Sequence, residues 1–566
     1  MTVARAAHRT ALVLVLASAT SASDVLRAQT DPKQTVEYAR GLIAAADHEG
    51  AVAILETITE NEPNNGSAWA FLGYARHLLG DLDGALTAHS KAMEFEQSAP
   101  VAMFNMGLTY AKRGDVEQAY EWLLRARAAG TIDVTRVVVY AESEILRGDA
   151  RWDLLFPAAD ELADPFVEDV TILHEWMGEE EGDEFGWIAR KIGDVDGDGV
   201  FDFATSAPSH ALAHAGKIYV YSGGTGELIW DRTGRTSERL GLGIESAGDV
   251  NADGVNDVIA GAPGAGKIYV YSGADGSLLM TQYGWAENEL FGRRVAGVGD
   301  VNGDGHDDVL TGAPLNDDNG EDAGRIYLFS GRDASLLLTV TGEDAGDRFG
   351  EAVGGCRDGR HILLIVGAPD AGPQNGGRTY VYTDLSGVPA FTIESDETGV
   401  ELGGMFVSAV GDVDGDAVPD VYASDWPNRA RGTRTGRIYV HSGADGRRLL
   451  TLTGARAGDG FGIGTAHAGD VDGDGYADLI IGAWLHSGAA PSGGKVYVFS
   501  GADGSLIQAY TGRVMGETLG FDATGIGDVD GDGMIDFLVS SAWSAINGVR
   551  SGRVYIVSGR LDASLE

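Results

Sequence analysis

An acidic nine-residue loop recurs six times between Asp194 and Asp536, and it fixes a bound ion, a repeat period and an architecture together. The copies are DVDGDGVFD from Asp194, DVNADGVND from Asp249, DVNGDGHDD from Asp300, DVDGDAVPD from Asp412, DVDGDGYAD from Asp470 and DVDGDGMID from Asp528. Positions 1, 3 and 5 present carboxylate or amide oxygens to one side of a tight curl. Position 7 offers a backbone carbonyl whatever its side chain, and position 9 closes the cage with a further Asp. Gly at position 6 permits the turn. The expected ligand sets are Asp194, Asp196, Asp198, Val200 and Asp202; Asp249, Asn251, Asp253, Val255 and Asp257; Asp300, Asn302, Asp304, His306 and Asp308. In the second half they are Asp412, Asp414, Asp416, Val418 and Asp420; Asp470, Asp472, Asp474, Tyr476 and Asp478; Asp528, Asp530, Asp532, Met534 and Asp536. Oxygen-only ligation suits a hard cation that accepts six or seven ligands, so Ca²⁺ is favoured over Mg²⁺, with up to six structural ions per chain. An acid at position 9 rather than 12 argues against a helix–loop–helix calcium hand. One such stretch alone would read as an ordinary Asp/Gly turn; six in register do not.

A chain of 566 residues calls for more than one domain. Its 84 glycines against 14 prolines point to tight turns rather than disorder. The formal net charge of −44 opposes nucleic acid and anionic membrane surfaces, even with divalent ions bound. Residues 1–22 read as a secretory signal: Arg5, His8 and Arg9 precede an apolar run from Ala11 to Ala19, and cleavage is expected after Ala22. An uncleaved anchor is the alternative, and no other stretch is expected to cross a membrane. The expected location is therefore secreted, periplasmic or cell-surface, where calcium is abundant. The one cysteine, Cys356, has no intramolecular partner and is read as a small buried residue rather than a nucleophile.

Residues 33–150 are expected to be helical with a period of 34. Trp69, Leu72, Gly73, Gly80, Ala85 and Ala92 are followed 34 positions on by Met103, Met106, Gly107, Gly114, Ala119 and Ala126, and preceded by Ala51 and Pro63. Small residues at these places let paired helices approach closely. The pattern resembles the tetratricopeptide (TPR) repeat, with Ala39 and Ile58 departing from it in the first copy and a closing helix expected from Val134 to Leu146. The resemblance implies a helical solenoid with a concave face for a peptide; a spacer or cap is the other reading. Two Arg-Gly-Asp tripeptides, Arg113–Asp115 and Arg147–Asp149, fall at helix junctions and read as turn-and-cap chemistry rather than adhesion ligands. Residues 151–165, with Pro157 and Pro165, are expected to form a linker.

From 166 to 560 a second repeat runs. Each unit combines an apolar strand, a turn ending in Phe-Gly, the acidic loop leading into a strand that ends in Gly-Ala-Pro, and a strand of the type GKIYVYSG. Phe-Gly stands at Phe185, Phe291, Phe349 and Phe461, and Gly-Ala-Pro at Gly261–Pro263, Gly312–Pro314 and Gly367–Pro369. The last strand starts at Gly216, Gly266, Gly324, Gly377, Gly436, Gly494 and Gly552, seven times at intervals of 50 to 59 residues. Seven four-stranded sheets close into a propeller. The motifs are similar to the FG-GAP repeat of integrin α-subunit propellers. The expected fold is multidomain: an all-α TPR solenoid followed by an all-β seven-bladed propeller. Only Arg560 to Glu566 follow the seventh strand, so the segment Val170 to Trp176 is expected to complete the last blade.

The fourth unit departs most, with Gly354–Arg360 in place of the acidic loop, where Arg357 and Arg360 would repel a cation. Ala417 takes the turn Gly of the fifth loop and should strain it. Leu240, Leu402 and Leu519 replace Phe in Phe-Gly, and Ser206–Pro208, Ser424–Trp426, Gly482–Trp484 and Ser541–Trp543 replace Gly-Ala-Pro; these are packing variants. The integrin resemblance implies structural ions on one face and a protein or glycan partner on the other. Leu315 to Ala323, Asp370 to Gly376, Pro427 to Thr435 and Leu485 to Gly493 are the candidate contact loops. No nucleophile motif and no paired-His metal motif is present, so a non-catalytic, monomeric scaffold or adhesion module is expected. The alternative is a propeller-bearing hydrolase or lyase acting on lipid or polysaccharide.

Overall fold

The computed structural model describes residues 35–560 apart from 212, 373–374 and 398–399, so the expected signal segment, 1–22, lies outside the described residues. The chain divides into two compact units, helical up to Ala163 and all-β from Asp164.

Six helices make three antiparallel pairs in the first unit: α1 (Val36–Ala44) with α2 (His48–Asn61), α3 (Gly66–Leu79) with α4 (Leu82–Ala92), and α5 (Ala99–Arg113) with α6 (Val116–Ala129). The second helix of each pair is capped by an Asp: Asp47, Asp81 and Asp115 accept from Gly50 N, Gly84 N and Gln118 N at 2.9, 3.0 and 3.2 Å. Gly80 and Gly114 end α3 and α5 in the left-handed conformation. Asp115 therefore spends its carboxylate on a cap, and Asp149 spends its own on Arg151 N at 2.9 Å. Gly73 is small because α4 crosses there; a Cβ would meet the His89 ring at 2.4 Å.

The expected closing helix is not α-helical. Val134–Val139 and Ala141–Ile145 are two 3₁₀ stretches separated by extended Tyr140. The run Val134-Thr135-Arg136-Val137-Val138-Val139 is β-branched at five of its six positions, which restricts χ1 against the preceding turn and weakens an α-helix. Over 151–165 the chain forms a 3₁₀ turn, Trp152–Leu155, and a one-turn helix, Ala159–Leu162, burying Trp152, Leu155, Phe156 and Leu162.

In the second unit, 28 strands among the described residues form seven four-stranded antiparallel sheets, the blades of a propeller. The first blade is representative: Ala189–Gly193, Asp202–Ala207, Lys217–Tyr221 and Leu228–Thr233 pair in sequence order. The seventh is Asp522–Gly527, Asp536–Ser541 and Arg553–Val557, completed by Ile172–Met177 from the start of the unit. That outer strand is antiparallel to Arg553–Val557, with Trp176 opposite Val554 and Met177 opposite Arg553.

The core lies between neighbouring blades. Ile192, Ala204 and Val220 of the first pack against Val258 and Ala260 of the second. At the closing seam, Phe203 and Tyr219 of the first pack against Leu538, Val554 and Ile556 of the seventh and the half-donated Trp176. Each blade thus buries both faces, and the alternation in GKIYVYSG-type strands serves two cores. Phe-Gly and Gly-Ala-Pro have one physical reason. The Gly of Gly-Ala-Pro meets the Gly of the next blade's Phe-Gly, so that a Cβ on Gly312 would sit 1.9 Å from Gly350 O. The Phe sits edge-on to a strand Tyr, as in Phe185–Tyr219 with ring centres 5.2 Å apart.

Candidate metal centres

Each acidic loop joins the first strand of a blade to the second, whereas the Gly-Ala-Pro turn joins the second to the third; in antiparallel sheets the two lie at opposite rims. The loop is folded by its own acids. In the first copy the position-1 carboxylate of Asp194 accepts from Gly197 N at 2.7 Å and Gly199 N at 2.9 Å. Asp196 accepts from Asp198 N at 3.0 Å, and Asp198 from Val200 N at 2.8 Å. The last loop repeats this set, with Gly531 N and Gly533 N on Asp528 at 2.7 and 2.9 Å. Each carboxylate gives one or more lone pairs to backbone amides and keeps others for an ion.

Position 9 is the buried end of the site. Asp202, Asp257, Asp308, Asp420, Asp478 and Asp536 are all fully buried. Their Oδ2 accepts from the position-2 amide at 2.7 to 2.9 Å. Their Oδ1 accepts from a glycine amide after the third strand: Gly223, Gly273, Gly331, Gly443, Gly501 and Gly559, at 2.9 to 3.1 Å. One side chain so ties the loop to the far hairpin of its own blade. These glycines belong to the Ser-Gly that ends each GKIYVYSG-type strand, and the sequence reading did not assign them a role. The signal was there: the fourth blade lacks the acidic loop and also lacks Ser-Gly, having Tyr382-Thr383-Asp384 instead.

Four loops bring ligand oxygens of positions 1, 3 and 9 within 4.8 Å of one another: Asp194, Asp196 and Asp202; Asp412, Asp414 and Asp420; Asp470, Asp472 and Asp478; Asp528, Asp530 and Asp536. Three converging carboxylates, one of them buried, form a donor set that fits a hard divalent cation and could hold one. Position 5 stands outside these groups and is turned onto the position-7 amide, as Asp474 is to Tyr476 N at 2.9 Å. In the two amide-containing loops, Asn251 and Asn302 accept from Asp253 N and Asp304 N and donate to the same carboxylates at 2.8 and 3.0 Å. Val255, His306, Val418 and Met534 are held in the same way as Val200 and Tyr476, each through its amide on position 5.

Position 8, absent from the expected ligand sets, links the loops to one another. Asp307 accepts from Asp249 N of the preceding loop at 2.8 Å, and the His306 ring reaches Val250 O at 2.8 Å. A Cβ on Gly469 would meet Ile535 Cδ1 at 2.7 Å, and one on Gly193 would meet Asn256 Nδ2 at 2.9 Å. Neighbouring loops therefore touch through position 8 and the glycine before position 1.

The fourth blade replaces the loop by a hairpin: 352–358 and 361–368 pair through to Asp358 opposite His361, turning at Gly359-Arg360. Arg357 lies 3.7 Å from Asp300 of the third loop. In the fifth loop Ala417 keeps the left-handed conformation (φ 65°) and its amide still donates to Asp412 at 2.8 Å. Ala252 at position 4 of the second loop is left-handed too (φ 61°), a strain the sequence reading did not anticipate. We expect Ala417→Gly to stabilise the chain by roughly 0.5–1 kcal/mol, read by urea denaturation; a neutral or destabilising result would contradict the strain. Arg447 also donates to Asp414 at 2.6 Å, a cation competing for the fifth site.

Burial raises the position-9 carboxyls against the pull of their amide donors: Asp202 and Asp308 to about 6, Asp257 and Asp420 to about 7, Asp478 and Asp536 in the same direction. The folded, ion-free chain then binds more protons than the unfolded chain between the ordinary Asp value and about 7. Its stability falls as pH rises through that window and levels off above it. A divalent cation favours the ionised carboxylate and offsets this cost. The gap in melting temperature between calcium-loaded and metal-free protein should therefore widen from about pH 5 to about pH 7.5. A gap independent of pH would refute the coupling.

Residues 191–221, 244–273, 291–329 and 461–499 match the FG-GAP repeat family. Integrin alpha-4 of Xenopus laevis is 31% identical over 199 residues, covering 32% of this chain and 18% of that protein. Integrin alpha pat-2 of Caenorhabditis briggsae is 29% identical over 213 residues, covering 32% and 17%. Human phosphatidylinositol-glycan-specific phospholipase D is 27% identical over 404 residues, covering 57% of this chain and 46% of that protein. The chain thus spans less than half the length of these relatives. Its propeller carries FG-GAP repeats and is similar, through them, to integrin α subunits and to that phospholipase.

Proposed function

We propose that this chain is a calcium-binding, non-catalytic interaction scaffold that works outside the cytoplasmic membrane. The acidic loops would hold up to six Ca²⁺ ions as structural pins, and the opposite rim would engage a protein or glycan. The observation that carries the reading is the three-carboxylate cluster closed by a buried position-9 acid, repeated around one rim of the propeller. Loops on the other rim are tied down and so pre-organised for contact: Asn319 Nδ2 donates to Gly342 O at 2.9 Å, and Arg429 pairs with Glu397 at 2.9 Å. The N-terminal helix pairs, spaced as TPR repeats are, would add a second contact surface. Export rests on the N-terminal basic-apolar pattern, and no helix among the described residues is long and apolar enough to cross a membrane.

The phospholipase relative favours a second reading, a hydrolase. Acids with raised pKa outside the loops bear on it. Glu245 and Asp522 are raised by burial, yet both are held by Arg190, and Asp425, raised to about 6, is held by Ser395 and Asn428. Capture from native envelope and medium on immobilised calcium-loaded chain tests the scaffold reading. The expected result is a partner lost when 315–323 and 427–435 are replaced by Gly/Ser linkers of equal length. Turnover of glycosyl-phosphatidylinositol or polysaccharide by the purified chain would overturn it.

A further inference from the structure

The first strands of the seven blades border a central channel, and a cavity of 360 Å³ opens within it. In a chain of net charge −44 its wall is cationic: Arg190, Lys191, Arg294 and Arg357 all line it. Arg190 is fully answered. Its Nε donates to Glu245 at 2.8 Å and its Nη1 to Asp522, which also accepts from Ala189 N at 3.0 Å.

Arg294 is not answered. Its Nη1 donates to Leu242 O at 3.2 Å, but its buried Nε has no hydrogen-bond partner among the described residues. Its guanidinium lies 5.6 Å from the centre of the Phe406 ring, which Arg190 also approaches at 5.9 Å, so like charges converge on one aromatic. Burial, with Arg293 and Arg190 nearby, pushes Arg294 down to about 10 against the pull of Glu351 and Asp522. Lys191 rests against the Phe201 ring at 5.0 Å, and burial lowers it too. Arg357 pairs with Asp300 at 3.7 Å and its Nε donates to Gly359 O at 3.1 Å, while its Nη1 is buried without a hydrogen bond. Partly buried cations whose donors are incompletely met favour a bound anion, which supplies the missing acceptors and counter-charge. The cavity has the size of a small-ligand site, about 300 Å³ upward.

We propose that the channel binds a small carboxylate- or phosphate-bearing solute, received by the guanidinium of Arg294 in the field of Lys191 and Arg357. A planar fork beside an aromatic ring is the arrangement that recognises such groups. The site adjoins the third acidic loop through the Arg357–Asp300 pair, and it does not depend on the scaffold reading.

Calorimetric titration of the calcium-loaded full chain with succinate and with phenyl phosphate tests this, because both probes bind calcium weakly and separate the two chemistries. At least one should bind with a Kd below about 1 mM. Arg294→Gln should weaken it at least about tenfold, because it removes the guanidinium that receives the anion. Arg294→Lys should retain part of the affinity. Lys191→Gln reads the same site independently and should also weaken binding. Absence of binding by either probe at about 10 mM, or affinity unchanged in both Gln variants, would overturn the proposal.

Discussion

Stripping divalent ions from this chain is expected to lower its melting temperature by about 15 °C or more, and calcium should restore it. Each filled site adds roughly 2.7 kcal/mol at a free ion concentration of about 100 Kd, and six loops carry the pattern. The ion-free chain meanwhile retains a cluster of repelling carboxylates in four of the six loops, with the position-9 acid buried in all of them. Because neighbouring loops touch through positions 7 and 8, the loss should appear as one cooperative shift of the propeller rather than a series of local events. Scanning calorimetry of metal-free and calcium-loaded protein measures it directly. Overlapping traces would remove the basis for structural ions.

The most damaging single substitution in a loop is expected at position 9. Asp478 accepts from Val471 N at 2.7 Å, Asp472 N at 3.3 Å and Gly501 N at 2.9 Å, all from a fully buried position. Asp478→Ala should cost about 4 kcal/mol in calcium, because it removes an ion ligand and orphans buried amides together. Roughly half of that should persist in metal-free protein, where the amides still need a partner. Asp474→Ala, at exposed position 5, should by contrast lose its effect once the ion is gone. Urea titrations of the two variants with and without calcium separate these outcomes. Equal behaviour of the two would show that position 9 is a ligand only, not a structural tie.

The blade count and the closing strand were legible because strand patterns repeat with a fixed offset from the loop, so each copy checks the others. Val170 to Trp176 was recognisable as a strand without a loop of its own, and Ile172–Met177 does complete the seventh blade. What escaped was chemistry visible only once strands are placed side by side. The Gly amide of each Ser-Gly reaches position 9 from 16 to 23 residues away. Position 8 varies freely in sequence, from Asn256 to Asp307 to Ile535, because it meets a glycine that makes no demand on side-chain type. The 3₁₀ turns at Val134–Ile145 escaped because the apolar period of the helical repeats ran on while β-branching worked against the α-helix. Arg190 and Arg294 had no legible role, since residues about 100 positions apart in sequence meet only when the ring closes.

The most direct test of the acidic loops as ion sites is elemental analysis of the protein after equilibration with calcium and removal of free ions by gel filtration. The account predicts between four and six calcium ions per chain, four from the clustered carboxylate loops and the rest from the two Asn-containing ones. Charge-neutralising substitution of Asp470, Asp472 and Asp478 by Asn should reduce the count by one. A chain that retains no calcium, or a count unmoved by that triple substitution, would contradict it.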